Sequence, residues 1–556
     1  MSTFGPHPDD ARRPSRRELL GGVVGAGVLL AGCTEPERRQ PSTPTPTATS
    51  TPPAPTTSPT RAALGAAGAN TGHPLATEAA MGVLRRGGNA IDAAVAAAFA
   101  DAVMQPASSG IGGGGVTIVV RDGVRANHDY REVVARSGKV PASGVGVPGF
   151  VAGMADLHER YGTQKWADLL QPAIAIADEG GPVSRYLADV LATTRGRRVV
   201  RDLEHFHRPD GSVLRQGDRL VQKELARTMR LIAAEGPDAV LDGPLTPALT
   251  KVPGLDAETF KAYTIQHSVP ASGRLGDVVL LSGAPALPGG AIIQMTQIAE
   301  ALGIRGVGPD SAEFIDLQSR GWQVADRSVH RWFGDPDFVD VPLAQVTDRE
   351  RNAALARTLK REPRARTGPD SSGDPNTTHI SVVDEDGMAV SMTNTITSYW
   401  GCETYVGGFF LNDQLGRFDL IGDGRANRPE PGRRSVTWSA PSMVLDLDDR
   451  PVLVIGAPGG SQIPNTTASV VLRWALHGQS LAQAVPAPRF KLDNGLMRLE
   501  STQHVAALRK LGYRTRVMPK SYRASWGSVQ ALEVDWDARR VSGVADTRRS
   551  AGVAVA

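Results

Sequence analysis

The sequence predicts an α+β fold in which helices flank antiparallel sheets. Two observations carry that class. An alanine-rich segment from Leu64 to Gln105 has a helical pattern, and mostly helical stretches continue towards Asp370. From Thr377 onward, polar and apolar side chains alternate with period two around hairpin-type turns. No internal repeat suggests a solenoid or propeller instead.

Taken in chain order, the first forty residues stand apart from the fold. Arg16 and Arg17 in "SRRELL" precede a glycine-rich apolar stretch, Leu19 to Ala31, that is short for a bilayer span. "SRRELL" resembles a twin-arginine export signal, and "LLAGC" resembles a bacterial lipobox with a diacylglyceryl group on Cys33. Residues 1–33 are therefore expected to be an export signal. The lipid would hold the mature protein at the extracytoplasmic face of the cell membrane. Residues 34–63 are dense in Pro and Thr, without apolar periodicity, and read as an extended tether. Cys402 is the one cysteine beyond Cys33, so the mature chain must be stable without an intramolecular disulfide.

In the body, "TEAAMGVLRRGG" reads as a helix stopped by Gly87-Gly88. "NAIDAAVAAAFADAVMQ" starts a second, with Asn89 as N-cap and Asp92 three residues on. In "GIGGGGVTIVVRDG" the glycines formally fit G-x-G-x-x-G, but a helix precedes them and a strand follows. That is the reverse of a dinucleotide site. "VVRDGVRANHDYRE" is a hairpin around Asp122-Gly123 that delivers Arg131 at a strand end. There the guanidinium is either a solvated charge or a planar clamp for a carboxylate. "RLGDVVLLSGAPALPGGAIIQMTQIAEALG" reads strand, glycine turn, helix, and "REPRARTGPDSSGDPN" is polar and turn-rich. After Thr377, "THISVVDEDGMAVSMT" is a hairpin with His379 and Ser381 on one face and Ile380 and Val382 on the other. Strands follow at "GGFFLN", "SMVLDLDD" and "PVLVIGAPGG", a helix at "NTTASVVLRWAL", then helix and strands to the C-terminus.

Several function classes fall away. Among 556 residues the formal net charge is only +3, with scattered arginines, so nucleic acid is not an expected partner. There is no H-E-x-x-H, no cysteine pair at zinc spacing and no G-x-S-x-G elbow, so neither a metal nor a cofactor is expected. His205 and His207 in "EHFH" read as surface residues of a charged loop, and His379 as structural.

The hydroxyls of "GDPNTTHIS" remain. They are either a satisfied sheet edge or the product of a cut at Asn376-Thr377. A threonine hydroxyl needs a base to act as a nucleophile, and an N-terminal threonine carries one in its own α-amine, pKa about 7.7–8.0. Before the cut, the same hydroxyl can attack the preceding carbonyl if an exposed Gly-Asp-Pro-Asn turn strains that peptide.

From about Ala66 to the C-terminus the chain is similar to the γ-glutamyltranspeptidase (glutathione hydrolase) family of N-terminal nucleophile hydrolases. The motifs are "GIGGGG", "DYRE", "TTHISVVDEDGMAV" and "GAPGGS". The resemblance implies a four-layer αββα sandwich built by a large subunit, 64–376, and a small one, 377–556, from one precursor. It implies Thr377 as nucleophile, Thr395 as its hydrogen-bond partner, Gly459 and Gly460 as oxyanion hole and Arg131 on the substrate carboxylate. The implied activity transfers a γ-glutamyl group to water or an acceptor amine.

Three sites, four residues in all, depart from the family pattern. In "NDQLGRF" Gln414 is kept, but Arg417 stands where an acidic residue pairs with the substrate α-ammonium. Thr397 replaces an asparagine, and Thr437-Trp438 a serine pair. Either the substrate lacks a free α-ammonium (poly-γ-glutamate, an N-blocked glutamyl unit, or a glutaryl group), or Arg417 points to solvent and Asp413 or Asp419 does the pairing. A catalytically inactive surface-binding lipoprotein is a further alternative.

Overall fold

The computed structural model describes residues 63–363, 376–421 and 425–556. The expected export signal, Cys33, nearly all of the tether and the Gly373-Asp374-Pro375 part of the expected turn lie outside the described residues. Among the described residues no helix is long and apolar enough to cross a membrane.

Thirteen strands form two antiparallel sheets. They are β1 (Gly68–Thr71), β2 (Gly114–Arg121), β3 (Val124–Asp129), β4 (Gln266–Ser268), β5 (Ala271–Leu275), β6 (Val278–Ser282), β7 (Thr378–Val383), β8 (Ala389–Thr395), β9 (Ser442–Leu445), β10 (Pro451–Gly456), β11 (Gln530–Asp535), β12 (Arg540–Ala545) and β13 (Gly552–Val555). The first sheet has the order β13-β1-β7-β8-β2-β3-β4 and the second β12-β11-β10-β9-β6-β5. Both sheets mix strands from before and after the Asn376–Thr377 bond, so ladder hydrogen bonds would hold two cleaved pieces together. β1 corrects one expectation. Its four residues, "GANT", lie in the alanine-rich stretch read as helical, yet they pair with β13 and β7. Neighbouring strands, not local propensity, make this segment extended.

Helices cover both outer faces. The helices α1 (Pro74–Arg85), α2 (Ala90–Met104), α3 (Phe150–Tyr161) and α4 (Trp166–Glu179) belong to the first side. On the second side stand α5 (Gly289–Ala301), α6 (Ala312–Trp332) and α7 (Ile463–His477). The cap of α2 forms as its sequence predicts: Asn89 and Asp92 make a reciprocal capping box. All fifteen residues of α2 are buried. Its alanines let the backbone lie close against Ile380, Val382, Val390 and Met392 of the first sheet. α5 and α7 pack in the same way on Leu280, Val444, Leu453 and Ile455 of the second. The result is an αββα sandwich.

Alternation along each strand also fills the space between the sheets, and it does so unevenly. One end is apolar: Ile118, Leu281, Val383, Ala389, Met443, Val454 and Leu532 form a single cluster. Towards Thr377 it becomes polar. Ser391 Oγ donates to the Ile455 carbonyl (3.2 Å) and Ser381 Oγ to the Gln530 carbonyl (3.1 Å). His379 hydrogen-bonds the Thr393 and Ser381 hydroxyls, and burial pushes its pKa down to about 3, so it is neutral. Its ring occupies the place where Gly456 would carry a Cβ, 2.2 Å from the imidazole Cε1. Gly456→Ala is therefore expected to destabilise the protein by about 1–3 kcal/mol, as overpacking does. An unchanged urea midpoint would refute this contact.

His205 also differs from its expectation. It is half-buried, its ring lies 5.7 Å from Tyr405, and burial pushes its pKa down to about 4. It packs rather than solvates.

Candidate active site

Thr377 immediately precedes β7, beside Thr395 at the end of β8, because the β7–β8 register pairs Thr378 with Asn394. Both threonines are almost fully buried. The chain is continuous through Asn376–Thr377, so the geometry is that of the uncut precursor. Thr377 Oγ donates to the Asn376 carbonyl oxygen and lies 3.4 Å from Thr395 Oγ. Thr395 Oγ donates to the same carbonyl at 2.7 Å and accepts the Thr397 N–H at 2.7 Å. The Thr397 carbonyl in turn accepts the Asn376 N–H at 3.0 Å. Thr397, which makes both bonds, takes φ +82°, an uncommon angle for a β-branched residue and one that stores strain beside this peptide.

Asn376 is fully buried, not part of an exposed turn. Its Oδ1 accepts from Tyr186 Oη at 2.5 Å, from its neighbour's N–H at 3.0 Å and from Arg549 at 3.2 Å, and its Nδ2 donates to the Ala107 carbonyl at 2.6 Å. Arg549 also reaches the Thr377 carbonyl at 3.2 Å and stacks over Tyr186 at 4.7 Å. Both sides of one peptide bond are thus clamped, with a hydroxyl against its carbonyl. Neither Tyr186 nor Arg549 is marked in the sequence: "SRYLADVL" and "DTRRSAG" carry no signal beyond an arginine pair.

A polar chain leads away from Thr395. Thr397 Oγ donates to Gln414 Oε1 (2.6 Å), Gln414 Nε2 to Ser435 Oγ (2.9 Å), and Arg131 Nη1 to the Ser435 carbonyl (2.6 Å). Arg131 is only 1% exposed, which overturns the solvated alternative. It forms a bidentate pair with Asp129, Nε to Oδ1 at 2.9 Å and Nη2 to Oδ2 at 2.6 Å. Burial alone would raise the Asp129 pKa, but Arg131 and Arg434 outweigh it and hold the carboxyl below its ordinary range. The remaining Nη hydrogens of Arg131 are what a second carboxylate can take. Next to it, Glu132 is fully buried, with no hydrogen-bond partner for either carboxylate oxygen among the described residues. Burial pushes its pKa up to about 8, so it is neutral at pH 7.

Arg417 follows the Gln414–Gly416 turn and is 5% exposed, so it does not point into solvent. Asp413, one suggested substitute acid, already accepts the Ser398 N–H at 2.9 Å; the Asp419 side chain lies outside what is described. Trp438 is no hydroxyl substitute. It lies in the core of the second side, 5.8 Å from the Trp322 ring, and the serine hydroxyl in the polar chain is that of Ser435. Thr437 is buried beside it. Gly459 and Gly460 follow β10, whose last residue underlies His379, and take φ +132° and +54°. Gly460 opens a turn leading straight into α7, so the positive end of that helix dipole lies behind the loop.

An αββα sandwich with a threonine at the head of a central strand, its hydroxyl against the preceding carbonyl, defines an N-terminal nucleophile hydrolase in its precursor form. The gamma-glutamyltranspeptidase family model matches residues 76–556, and the chain belongs to that family. It is 31% identical to the capsule biosynthesis protein CapD proenzyme of Bacillus anthracis, over 87% of this chain and 90% of that one. It is 33% identical to the acylase ACY 1 proenzyme of Pseudomonas sp. (strain SE83), covering 82% and 88%. To the glutathione hydrolase proenzyme of Escherichia coli it is 32% identical, covering 75% and 79%. The fold matches a cephalosporin acylase from Bacillus halodurans with a TM-score of 0.80 at 23% identity, over 91% of this chain and 98% of that one.

Proposed function

We propose that this chain is a self-cleaving N-terminal threonine amidase whose substrate presents a γ-glutamyl or glutaryl acyl group without a free α-ammonium. Polymeric γ-glutamate, N-blocked glutamyl amides and glutaryl amides fit this description. The observation that carries the reading is the burial of Arg417 where relatives of the glutathione hydrolase type place an acid. An arginine in place of that acid removes the carboxylate that would pair with an α-ammonium, so an acyl group without one suits the site better. The likeness to a capsule biosynthesis protein and to an acylase supports the same direction.

In the precursor, Thr377 Oγ attacks the Asn376 carbonyl carbon while the Thr395 hydroxyl holds the developing oxyanion. The C–N bond breaks, the acyl group moves to Oγ, and water hydrolyses the resulting ester. This leaves a large piece ending at Asn376 and a small piece beginning at Thr377. The freed α-amine then serves as the base, since burial leaves His379 a very weak base, with pKa pushed down to about 3, and both its ring nitrogens are engaged. In turnover, Thr377 Oγ attacks the substrate amide and the N–H groups of Gly459 and Gly460 hold the oxyanion. The amine leaves, and water or an acceptor amine resolves the ester. Arg131 binds a substrate carboxylate; Thr397 and Gln414 hold Thr395 in place. Trp438, in the core of the second side, supplies no hydroxyl to the site, so Thr437 is the one hydroxyl of that pair.

The test compares kcat/KM for a γ-glutamyl anilide with that for its N-acetyl and glutaryl counterparts. The unblocked anilide should be at least about tenfold poorer, or about 1.4 kcal/mol in the transition state. Arg417→Asp should narrow that gap. Equal or better turnover of the unblocked anilide by the native protein would overturn the substrate assignment.

A further inference from the structure

At the edge of the first sheet, away from the threonine, three side chains from distant parts of the chain converge. His128 of β3 and His267 of β4 are direct cross-strand partners. Asp156 of α3 lies over both. Its Oδ2 is 3.0 Å from His128 Nδ1 and 3.0 Å from His267 Nε2, and all three ligand atoms lie within 4.8 Å of one another. We propose that His128, Asp156 and His267 form a binding site for a single divalent transition-metal ion of the zinc class.

Two neutral imidazoles and one carboxylate are a donor set that zinc accepts, with bonds of about 2.0–2.2 Å. A tetrahedral ion spreads its ligand atoms to about 3.3–3.4 Å at those bond lengths. The two carboxylate–imidazole separations, each 3.0 Å, therefore need to open by only a few tenths of an ångström, and the two imidazole nitrogens already lie within 4.8 Å of each other. The surroundings suit the bound form. His128 Nε2 lies 3.1 Å from Tyr161 Oη, so the tautomer carrying its proton on Nε2 has an acceptor waiting, which frees the Nδ1 lone pair. Arg160 Nε donates to the other carboxylate oxygen, Oδ1, at 2.8 Å and leaves Oδ2 for the ion. Access is graded: the His128 side chain is 2% exposed, Asp156 14% and His267 39%. An ion can enter from the His267 side and keep a water as its fourth ligand. Bound there, it would tie α3 to the β3–β4 edge.

The test uses untagged, chelator-treated full-length protein titrated with zinc chloride in a calorimeter, with cobalt chloride as spectroscopic probe. One equivalent of zinc should bind per chain, cobalt should give the visible absorption of a four-coordinate site, and zinc should raise the thermal midpoint. His267→Ala, at the exposed ligand, should weaken zinc binding at least about tenfold and remove the cobalt band. Tyr161→Phe should keep the stoichiometry and weaken affinity by about tenfold, as loss of an outer-shell partner does. No saturable zinc binding by the native protein, or equal binding by His267→Ala, overturns the proposal.

Discussion

Thr377→Ala will remain a single unbroken chain and will turn over no amide, whereas the native protein will separate into two fragments that meet at Asn376–Thr377. The expectation follows from one atom. Thr377 Oγ lies against the Asn376 carbonyl, and no other described hydroxyl is placed to attack that carbon: Thr395 Oγ is on the oxygen, at 2.7 Å. Removing Oγ therefore removes the cleavage step and, with it, the α-amine that turnover needs. The loss in kcat should be on the order of 10⁶, as for other nucleophile deletions. Thr377→Ser keeps the oxygen and loses only the methyl group that restricts χ1, so it should still cut, more slowly. Intact mass spectrometry of the three proteins decides the matter. A cut alanine variant would remove Thr377 from its proposed role, and a native protein that works uncut would remove the mechanism.

The second large effect is expected at Arg549. Arg549→Met should slow self-cleavage by about 10²-fold while leaving a folded precursor. Arg549 touches neither Thr377 Oγ nor the carbonyl under attack. It holds Asn376 Oδ1 and the Thr377 carbonyl, both at 3.2 Å, and so positions the peptide bond from either side. Misplacing a reacting pair by a fraction of an ångström carries penalties of that size. The methionine fills most of the volume over Tyr186 and keeps the site from collapsing. Arg549→Lys should recover part of the rate: both contacts come from one nitrogen, Nη1, which an ammonium can replace, but the ammonium cannot also keep the Nε bond to the Ala524 carbonyl that holds the side chain in place. The readout is the half-life of the intact precursor on a denaturing gel, followed by turnover per cleaved molecule. If the cut occurs at the native rate in Arg549→Met, the clamp is not part of the cleavage machinery.

Legibility differed between these two residues for a physical reason. Thr377 stands at a change of period, where a turn-rich stretch becomes an alternating strand, and its chemistry is local: hydroxyl, amine and carbonyl belong to adjacent residues. Arg549 acts across 173 positions of sequence, and Tyr186 across 190. Nothing in a string of letters marks such a pair. The charged residues show the same limit. Arginine is ordinarily exposed, so the interior positions of Arg131 and Arg417 become evident only once the fold encloses them. The Asp129 that offsets Arg131 sits just two residues earlier. The His128–Asp156–His267 cluster has no ligand spacing at all, because a strand register and a helix crossing bring it together.

By itself, the order of residues determined which stretches are helix or strand over most of the body, where α2 is capped, that His379 and Ser381 share a face, and which threonine heads the central hairpin. Those are matters of period, capping and turn chemistry, which operate within a few residues. Tertiary structure alone decided that "GANT" is a strand between β13 and β7, that Asn376 is buried and held on every polar atom, and that Arg417 is enclosed rather than solvated. Each of these depends on the low-dielectric interior and on partners supplied from remote segments, and neither exists until the two sheets have closed on one another.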